Sequence, residues 1–142
     1  MMISTKGRYV LRVMTDLASQ DSGAYIPMKD VAARQDLSLK YIEKLMPVLT
    51  RHNLVEGVHG KGGGYRLVRA PEDYSLGEIL RLTEGSLAPV SCLEENAAPC
   101  PRAAYCATLP VWTKLDGMIN SYLDSVTLRD LLPNQTGNDY VI

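Results

Sequence analysis

The chain has 142 residues, enough for one domain with a hydrophobic core and one projecting element. No window of about twenty apolar residues occurs, and Lys6, Arg8 and Arg12 interrupt the apolar N-terminal segment. These features exclude a transmembrane helix and a secretory signal from the prediction. We therefore expect a cytoplasmic protein that has no membrane partner.

The charge is divided unevenly along the chain. The net charge is −1, but residues 1–70 carry eleven Lys or Arg against six Asp or Glu, and residues 71–142 carry four against ten. A basic first half joined to an acidic second half is typical of a DNA-facing module attached to one that faces elsewhere. Chance clustering on a solvated surface explains the charges equally well.

Apolar spacing in the first half predicts three helices. Residues 4–20 place apolar side chains at spacings of one, three and four, which indicates one buried helix face. A second helix is predicted at residues 28–35, and a third at residues 39–52 with Ser38 as its N-cap. Two short helices joined by three or four residues form a helix-turn-helix.

A hairpin is predicted directly after the helix-turn-helix. Its strands are residues 54–58 and 65–69, and the glycine-rich turn HGKGGG lies between them. A hairpin in this position is called a wing. Ser75 then caps a helix at residues 76–83. The predicted fold is mainly α with a small β-hairpin wing, and residues 1–84 are predicted to form a winged helix-turn-helix DNA-binding domain.

The candidate DNA contacts lie on three elements. The exposed side of the third helix can enter the major groove, where lysines reach guanine or phosphate. A glycine-rich turn alone usually marks only a flexible hairpin, but after a helix-turn-helix its backbone and cation can approach the minor groove. The start of the first helix can contact phosphates. The candidates are Ser38, Lys40, Tyr41 and Lys44 on the third helix, His59, Gly60 and Lys61 in the wing, and Lys6 and Arg8 on the first helix.

The three cysteines of the chain, Cys92, Cys100 and Cys106, lie in or just after a stretch without periodicity at residues 85–105. A loop of this length is usually functional or disordered, and we predict a sensor loop. An odd number of cysteines without a secretory signal argues against a disulfide framework. Soft thiolates suit an iron–sulfur cluster or zinc, and a helix N-terminus at Cys106 would favour its thiolate. Reactive or idle thiols are the alternative.

A long helix is predicted from near Cys106 to Ser125, with apolar residues at spacings of three, four, three and four. Such a seam could pack on its own domain. Because the first half of the chain already supplies a core, a homodimer interface is favoured. Residues 106–142 are thus predicted to form a dimerisation helix and a C-terminal tail. The predicted interface residues are Trp112, Leu115, Ile119, Tyr122 and Val126.

Four segments resemble the Rrf-two family of bacterial transcription regulators: STKGRY at residues 4–9, LV at 54–55, GKGGGY at 60–65 and LGEI at 76–79. The resemblance implies a winged-helix homodimer with crossing C-terminal helices that binds a palindromic operator in double-stranded DNA, most often as a repressor. In cluster-binding members, three cysteines before the long helix ligate a [2Fe–2S] or [4Fe–4S] cluster. By resemblance, Cys92, Cys100 and Cys106 are the metal ligands here.

The sequence also departs from its relatives. IscR-like members use a histidine where this chain has Leu109, and NsrR-like members use an aspartate of the partner's first helix where this chain has Arg8. The gap between the first two cysteines is seven residues here, against the usual five. The fourth ligand of the cluster is therefore unassigned.

Two other functions stay open. One is a clusterless, CymR-like regulator controlled by a small metabolite or a protein partner. The other, from a different class, is an iron–sulfur electron carrier or assembly protein. No acid–base or nucleophile constellation is evident in the sequence, so an enzyme is not expected.

Overall fold

The structure is a computed structural model that describes residues 3–20 and 23–133. Within those residues the chain forms six α-helices and one antiparallel hairpin, which matches the predicted fold class. The predicted tail at residues 134–142 lies outside the described residues. The elements are α1 (Thr5–Ser19), α2 (Met28–Gln35), α3 (Leu39–Arg51), β1 (Val55–Val58), β2 (Gly64–Leu67), α4 (Leu76–Glu84), α5 (Leu109–Ser125) and α6 (Leu128–Leu131).

The connection between α2 and α3 forms the predicted helix-turn-helix. Asp36 adopts a left-handed conformation with φ +53°, a common way for a helix to end. Two residues later the side chain of Ser38 accepts a hydrogen bond from the backbone N–H of Tyr41 and caps α3. The predicted N-cap is thus confirmed, and α3 ends one residue earlier than predicted.

A buried carboxylate ties α1 to α2. Asp16 is the buried charged residue among those described, and its Oδ1 lies 2.7 Å from a guanidinium nitrogen of Arg34. The side-chain amide of Gln35 donates to the other oxygen at 2.9 Å. A buried charge is tolerated only when it is paired and hydrogen-bonded. This contact therefore fixes how α2, the first helix of the helix-turn-helix, packs against α1.

The core lies where α1, α3 and α4 pack together under the hairpin. Tyr74 is fully buried, and its hydroxyl donates to the carbonyl of Leu54 at 2.7 Å while accepting from the N–H of Val68 at 2.9 Å. Burial raises the pKa of this phenol, and the hydrogen bonds it accepts oppose that shift. Tyr74 therefore fastens both ends of the hairpin to the core.

The chain returns to this core after α5. The N–H of Leu76 donates to the carbonyl of Val126 at 2.8 Å, and the N–H of Leu128 donates to the carbonyl of Tyr74 at 3.1 Å. Leu128 is fully buried. Val126, predicted on the dimer seam, lies beyond the end of α5 in extended conformation and packs against its own core. Because α5 ends at Ser125, the helical spacing does not extend to Val126, and this residue does not lie on the same helix face as the other predicted seam residues.

The wing is a two-stranded hairpin anchored by a third segment. β1 and β2 pair antiparallel, with Glu56 opposite Arg66 and their side chains 2.6 Å apart. Tyr65 exchanges two backbone hydrogen bonds with Ile26, just before α2, at 2.8 and 2.9 Å. The base of the wing is therefore coupled to the start of the helix-turn-helix.

We expect Gly64→Ala to loosen this coupling. Gly64 has φ +153°, and an added Cβ would lie 2.2 Å from the carbonyl oxygen of Ile26. The strain should cost about 3 kcal/mol of unfolding free energy. Gly62→Ala is the matched control, because Gly62 has φ +79° but open space around it, and it should cost about 1–2 kcal/mol. Urea denaturation measures both, and equal losses would contradict the proposed anchoring role of Gly64.

Candidate nucleic-acid interface and cysteine cavity

The recognition helix α3 has one buried and one exposed side. Its buried side chains are Ile42, Leu45, Met46 and Leu49. Lys40 and Lys44 are exposed one turn apart on the other side. This arrangement leaves both ammonium groups able to reach a phosphate or a base edge.

Tyr41 and Ser38 also stabilise α3, apart from any contact with DNA. The ring of half-buried Tyr41 meets that of Tyr9 edge to face, with centroids 5.6 Å apart, which joins α3 to α1. Ser38 caps α3. Replacing either residue would therefore disturb the position of α3 as well as the surface it presents.

The wing and the start of α1 present further predicted contacts. His59, Gly60 and Lys61 are exposed at the hairpin turn, which is closed by the N–H of Gly63 donating to the carbonyl of Gly60 at 2.9 Å. Lys6 and Arg8 are exposed near the start of α1. The guanidinium of Arg8 donates to the hydroxyl of Thr5 at 3.1 Å, within the same helix turn.

A groove of about 530 Å³ separates α3 from the wing. It brings His59 and Gly60 of the wing together with Leu39, Glu43 and Thr50 of α3. Lys40 and Lys44 are not among the described lining residues. Glu43 and Lys29 also line the groove and were not among the predicted DNA contacts. A carboxylate in such a groove can accept a hydrogen bond from cytosine N4. The sequence signal for Glu43 is its helical phase, one turn after the exposed Leu39.

All three cysteines line one cavity of about 350 Å³. Cys92 and Cys100 are exposed and Cys106 is half-buried, and each is a free thiol. Short 3₁₀ turns at Ser91–Leu93 and Ala103–Tyr105 shape the loop that carries them. The other residues lining the cavity are Leu93, Glu94, Ala97, Ala98, Pro99, Ala103 and Leu109.

Cys106 lies three residues before α5, because that helix begins at Leu109 and not near Cys106 as predicted. Its Sγ lies 3.5 Å from the hydroxyl oxygen of Thr108. Hydrogen bonds from that hydroxyl, and then from the backbone N–H groups of Thr108 and Leu109, lower the pKa of the Cys106 thiol. The unpaired amides at the start of α5 thus favour the thiolate, which is the ligating form.

The donor set of the cavity fits an iron–sulfur cluster. Thiolates are the ligands that such clusters take, and three thiols line this cavity among mainly apolar residues. No group of three His, Cys, Asp or Glu side chains in the described chain is arranged to hold a single metal ion. The feature that joins the cysteines is therefore the shared cavity. Two positions were considered above for the fourth ligand. Leu109 is apolar and lines the cavity, and Arg8 donates a hydrogen bond to Thr5 within α1.

The helix α5 has no buried residue. One side faces α4, where Arg81 donates to Asn120 at 3.0 Å and to Asp124 at 2.5 Å. The other side carries an exposed apolar stripe, which we call the α5 stripe: Val111, Leu115, Met118 and Tyr122, with exposed fractions of 57, 38, 60 and 67%.

The α5 stripe differs in part from the predicted seam. It shares Leu115 and Tyr122 with the prediction, whereas Trp112 and Ile119 are half-buried at its edge. Val111 and Met118 were missed, although they repeat at the same heptad spacing one residue earlier. The contact with α4 decides which of these two sets of heptad positions is exposed, and the apolar pattern of the sequence does not reveal that contact.

Among the described residues, every helix is too short or too polar to span a bilayer.

Known proteins resemble this chain over nearly its whole length. The profile of the Rrf2 family, described as iron-dependent transcriptional regulators, matches residues 3–134. Protein rrf2 of Nitratidesulfovibrio vulgaris is 37% identical over 132 residues, which are 93% of this chain and 87% of that protein.

Two solved structures extend the similarity to the fold. CymR of B. subtilis, the global cysteine regulator, is 35% identical with a TM-score of 0.75, over 92% of this chain and 95% of that one. IscR of T. potens is 36% identical with a TM-score of 0.71, over 92% and 85% of the two chains. The wing, the helix-turn-helix and these similarities together establish that the chain belongs to the Rrf2 family of transcriptional regulators, the Rrf-two family that its sequence resembles.

Proposed function

We propose that this regulator is a homodimer whose affinity for a palindromic operator is set by an iron–sulfur cluster held by Cys92, Cys100 and Cys106. The observation that carries the proposal is the single cavity lined by the three thiols. The cluster, when bound, supplies a centre whose loss or change of oxidation state reports a chemical signal. Repression is the mode of control that the family resemblance favours.

Three parts of the chain divide this work. Residues 1–84 bind DNA, residues 85–105 form the sensor loop, and residues 106–142 carry the dimerisation helix. Ligation by the three cysteines would order a loop whose backbone leads directly from α4 into α5. Because α4 packs on the DNA-binding core and α5 carries the α5 stripe, ordering the loop biases the spacing of the two DNA-binding heads.

Two hydrogen bonds link the end of α4, just before the sensor loop, to the predicted DNA-contacting end of α1. Glu84, the last residue of α4, accepts from the hydroxyl of Ser4 at 2.5 Å and from its N–H at 3.2 Å. Ser4 is the N-cap of α1, which carries Lys6 and Arg8. A displacement of the end of α4 would therefore change the positions of Lys6 and Arg8.

The similarity to CymR supports a second candidate, a clusterless regulator controlled by a metabolite or a protein partner. In that case the cysteines would be idle or would act as redox-sensitive thiols. The lowered pKa of Cys106 makes it the reactive one of a thiol switch. The two candidates differ in what happens when a single cysteine is removed.

We expect Lys61→Ala to weaken binding to specific and nonspecific DNA alike. Lys61 is exposed at the turn of the wing, where its charge can neutralise one phosphate. The slope of log Kobs against log salt should become less negative by about 0.9. Lys114→Ala on α5 is the charge-matched control and should leave the slope unchanged. Fluorescence anisotropy at several salt concentrations measures both, and an unchanged slope for Lys61→Ala removes this residue from the interface.

We expect the double variant Leu115→Glu with Met118→Glu to be monomeric and to lose operator binding. Both side chains lie in the α5 stripe, and two carboxylates per subunit would be unpaired in a dimer interface. The control is Ser121→Glu, on the same helix but outside the α5 stripe, which should stay dimeric. Sedimentation equilibrium gives the masses. A dimeric double variant would place the interface elsewhere.

We expect Cys92, Cys100 and Cys106 to act as a unit. Each single Cys→Ala variant should lose most of its iron and sulfide after anaerobic reconstitution and should share one operator affinity, that of the apo-protein. Ser91→Ala, an exposed neighbour of Cys92, is the control and should retain wild-type iron.

The thiol switch gives a different result in the same experiment. There, removing Cys106 or its resolving partner would abolish the response to oxidant, and removing the third cysteine would have little effect. Wild-type iron content in any of the three Cys→Ala variants would contradict the cluster proposal. Iron and sulfide analysis with operator titrations of each variant separates the two candidates.

A further inference from the structure

We infer that Glu94 supplies the fourth protein ligand of the cluster, through a carboxylate oxygen; this inference rests on the proposed function. The observation behind it is the composition of the cysteine cavity. Besides the three thiols, Glu94 is the described lining residue whose side chain can donate an electron pair to iron. The remaining lining side chains are those of leucine, alanine and proline.

The backbone holds Glu94 in place beside Cys92. The N–H of Glu94 donates to the carbonyl of Ser91 at 3.2 Å and closes the 3₁₀ turn that contains Cys92. The carbonyl of Glu94 accepts from the N–H of Ala97 at 3.0 Å, which closes the next turn. Glu94 and Cys92 therefore belong to one short hydrogen-bonded segment, and both residues line the cavity.

The carboxylate of Glu94 is not committed elsewhere in the part of the chain that the structure describes. Four other glutamates are engaged: Glu56 with Arg66, Glu72 with Arg129, Glu78 with Arg69, and Glu84 with Ser4. No such hydrogen bond or ion pair is formed by Glu94 among the described residues. Ligation would therefore break no existing contact of this side chain.

The chemistry of the ligand suits a sensor. A carboxylate oxygen is a harder donor than a thiolate, so it matches soft iron–sulfur chemistry less well and is the ligand most readily exchanged. The iron held by Glu94 would thus be the position where a small molecule enters.

The test compares Glu94→Ala, Glu94→Cys and Glu95→Ala after anaerobic reconstitution of the full-length protein. Glu95 is the matched control, because it is the adjacent glutamate, is exposed and does not line the cavity. The readouts are iron and sulfide per chain, visible circular dichroism, the EPR spectrum of the reduced protein, and the rate of iron loss to a chelator.

Glu95→Ala should match the wild type in every readout. Glu94→Ala should change the visible circular dichroism and EPR spectra and lose iron at least about tenfold faster, since even an outer-shell partner contributes that much to metal affinity. Glu94→Cys should lose iron more slowly than the wild type, because a fourth thiolate replaces the exchangeable oxygen. Far-ultraviolet circular dichroism and the melting temperature verify that each variant is folded.

Two results would overturn the inference, and they are distinguishable. If Glu94→Ala matches Glu95→Ala and the wild type while the three Cys→Ala variants lose their iron, the cluster exists but its fourth ligand is another group. If the wild type takes up no iron and sulfide, or the Cys→Ala variants retain it, the proposed function fails together with the inference.

Discussion

The closure of the chain between residues 74–76 and 126–128 is the constraint on which the rest of the structure depends. The backbone hydrogen bonds of Leu76 with Val126 and of Leu128 with Tyr74 join the start of α4 to the chain just after α5. Leu128 is buried in the core at this point, and Tyr74 bonds at the same time to the base of the hairpin. The whole excursion through α4, the cysteine loop and α5 is therefore held at both ends by the DNA-binding core. A change in the length or order of the loop must be absorbed within α4 and α5.

This closure also explains why α5 projects with no buried side chain. Leu128 completes the core, and from α5 the half-buried Leu123 packs against it, while Trp112 and Ile119 are half-buried at the edge of the α5 stripe. The α5 stripe is left for another surface, and a large apolar patch of this kind on a small domain marks an interaction site. A second copy of the same helix would offer the same heptad spacing. The sensor loop would then lead directly into the dimer helix, since α5 begins three residues after Cys106.

Most of the fold could be predicted from local sequence, because its signals are short-range. The caps at Ser38 and Ser75 each accept the backbone hydrogen bond that their position indicates, and the glycine-rich turn closes a hairpin. The start of α5 also has a local signal, Pro110 in its first turn, which the apolar spacing does not reveal. The position of Val126 could not be predicted in this way, since its backbone pairs with Leu76, which is distant in sequence. The same holds for the cavity: spacing alone indicated three candidate thiols, but only the folded loop brings Glu94 to the same wall. Which residues of α3 face the wing likewise depends on how α3 packs against α1, and the ring contact of Tyr41 with Tyr9 is part of that packing.

The polar part of the α4–α5 contact contributes little free energy. It consists of Arg81 with Asn120 and Asp124, and the ion pair is about half exposed on both sides. Exposed ion pairs of this kind contribute about 0–1 kcal/mol and are screened by salt. Breaking this ion pair would therefore cost little, so a loop ordered by ligands needs to supply only a small free-energy difference to rearrange it. A differential affinity of about 1.4 kcal/mol already changes such an equilibrium tenfold. The cysteine loop enters α5 at one end, and residues 126–128 return from its other end to the core, so a change at the cysteines reaches α5 and its contact with α4.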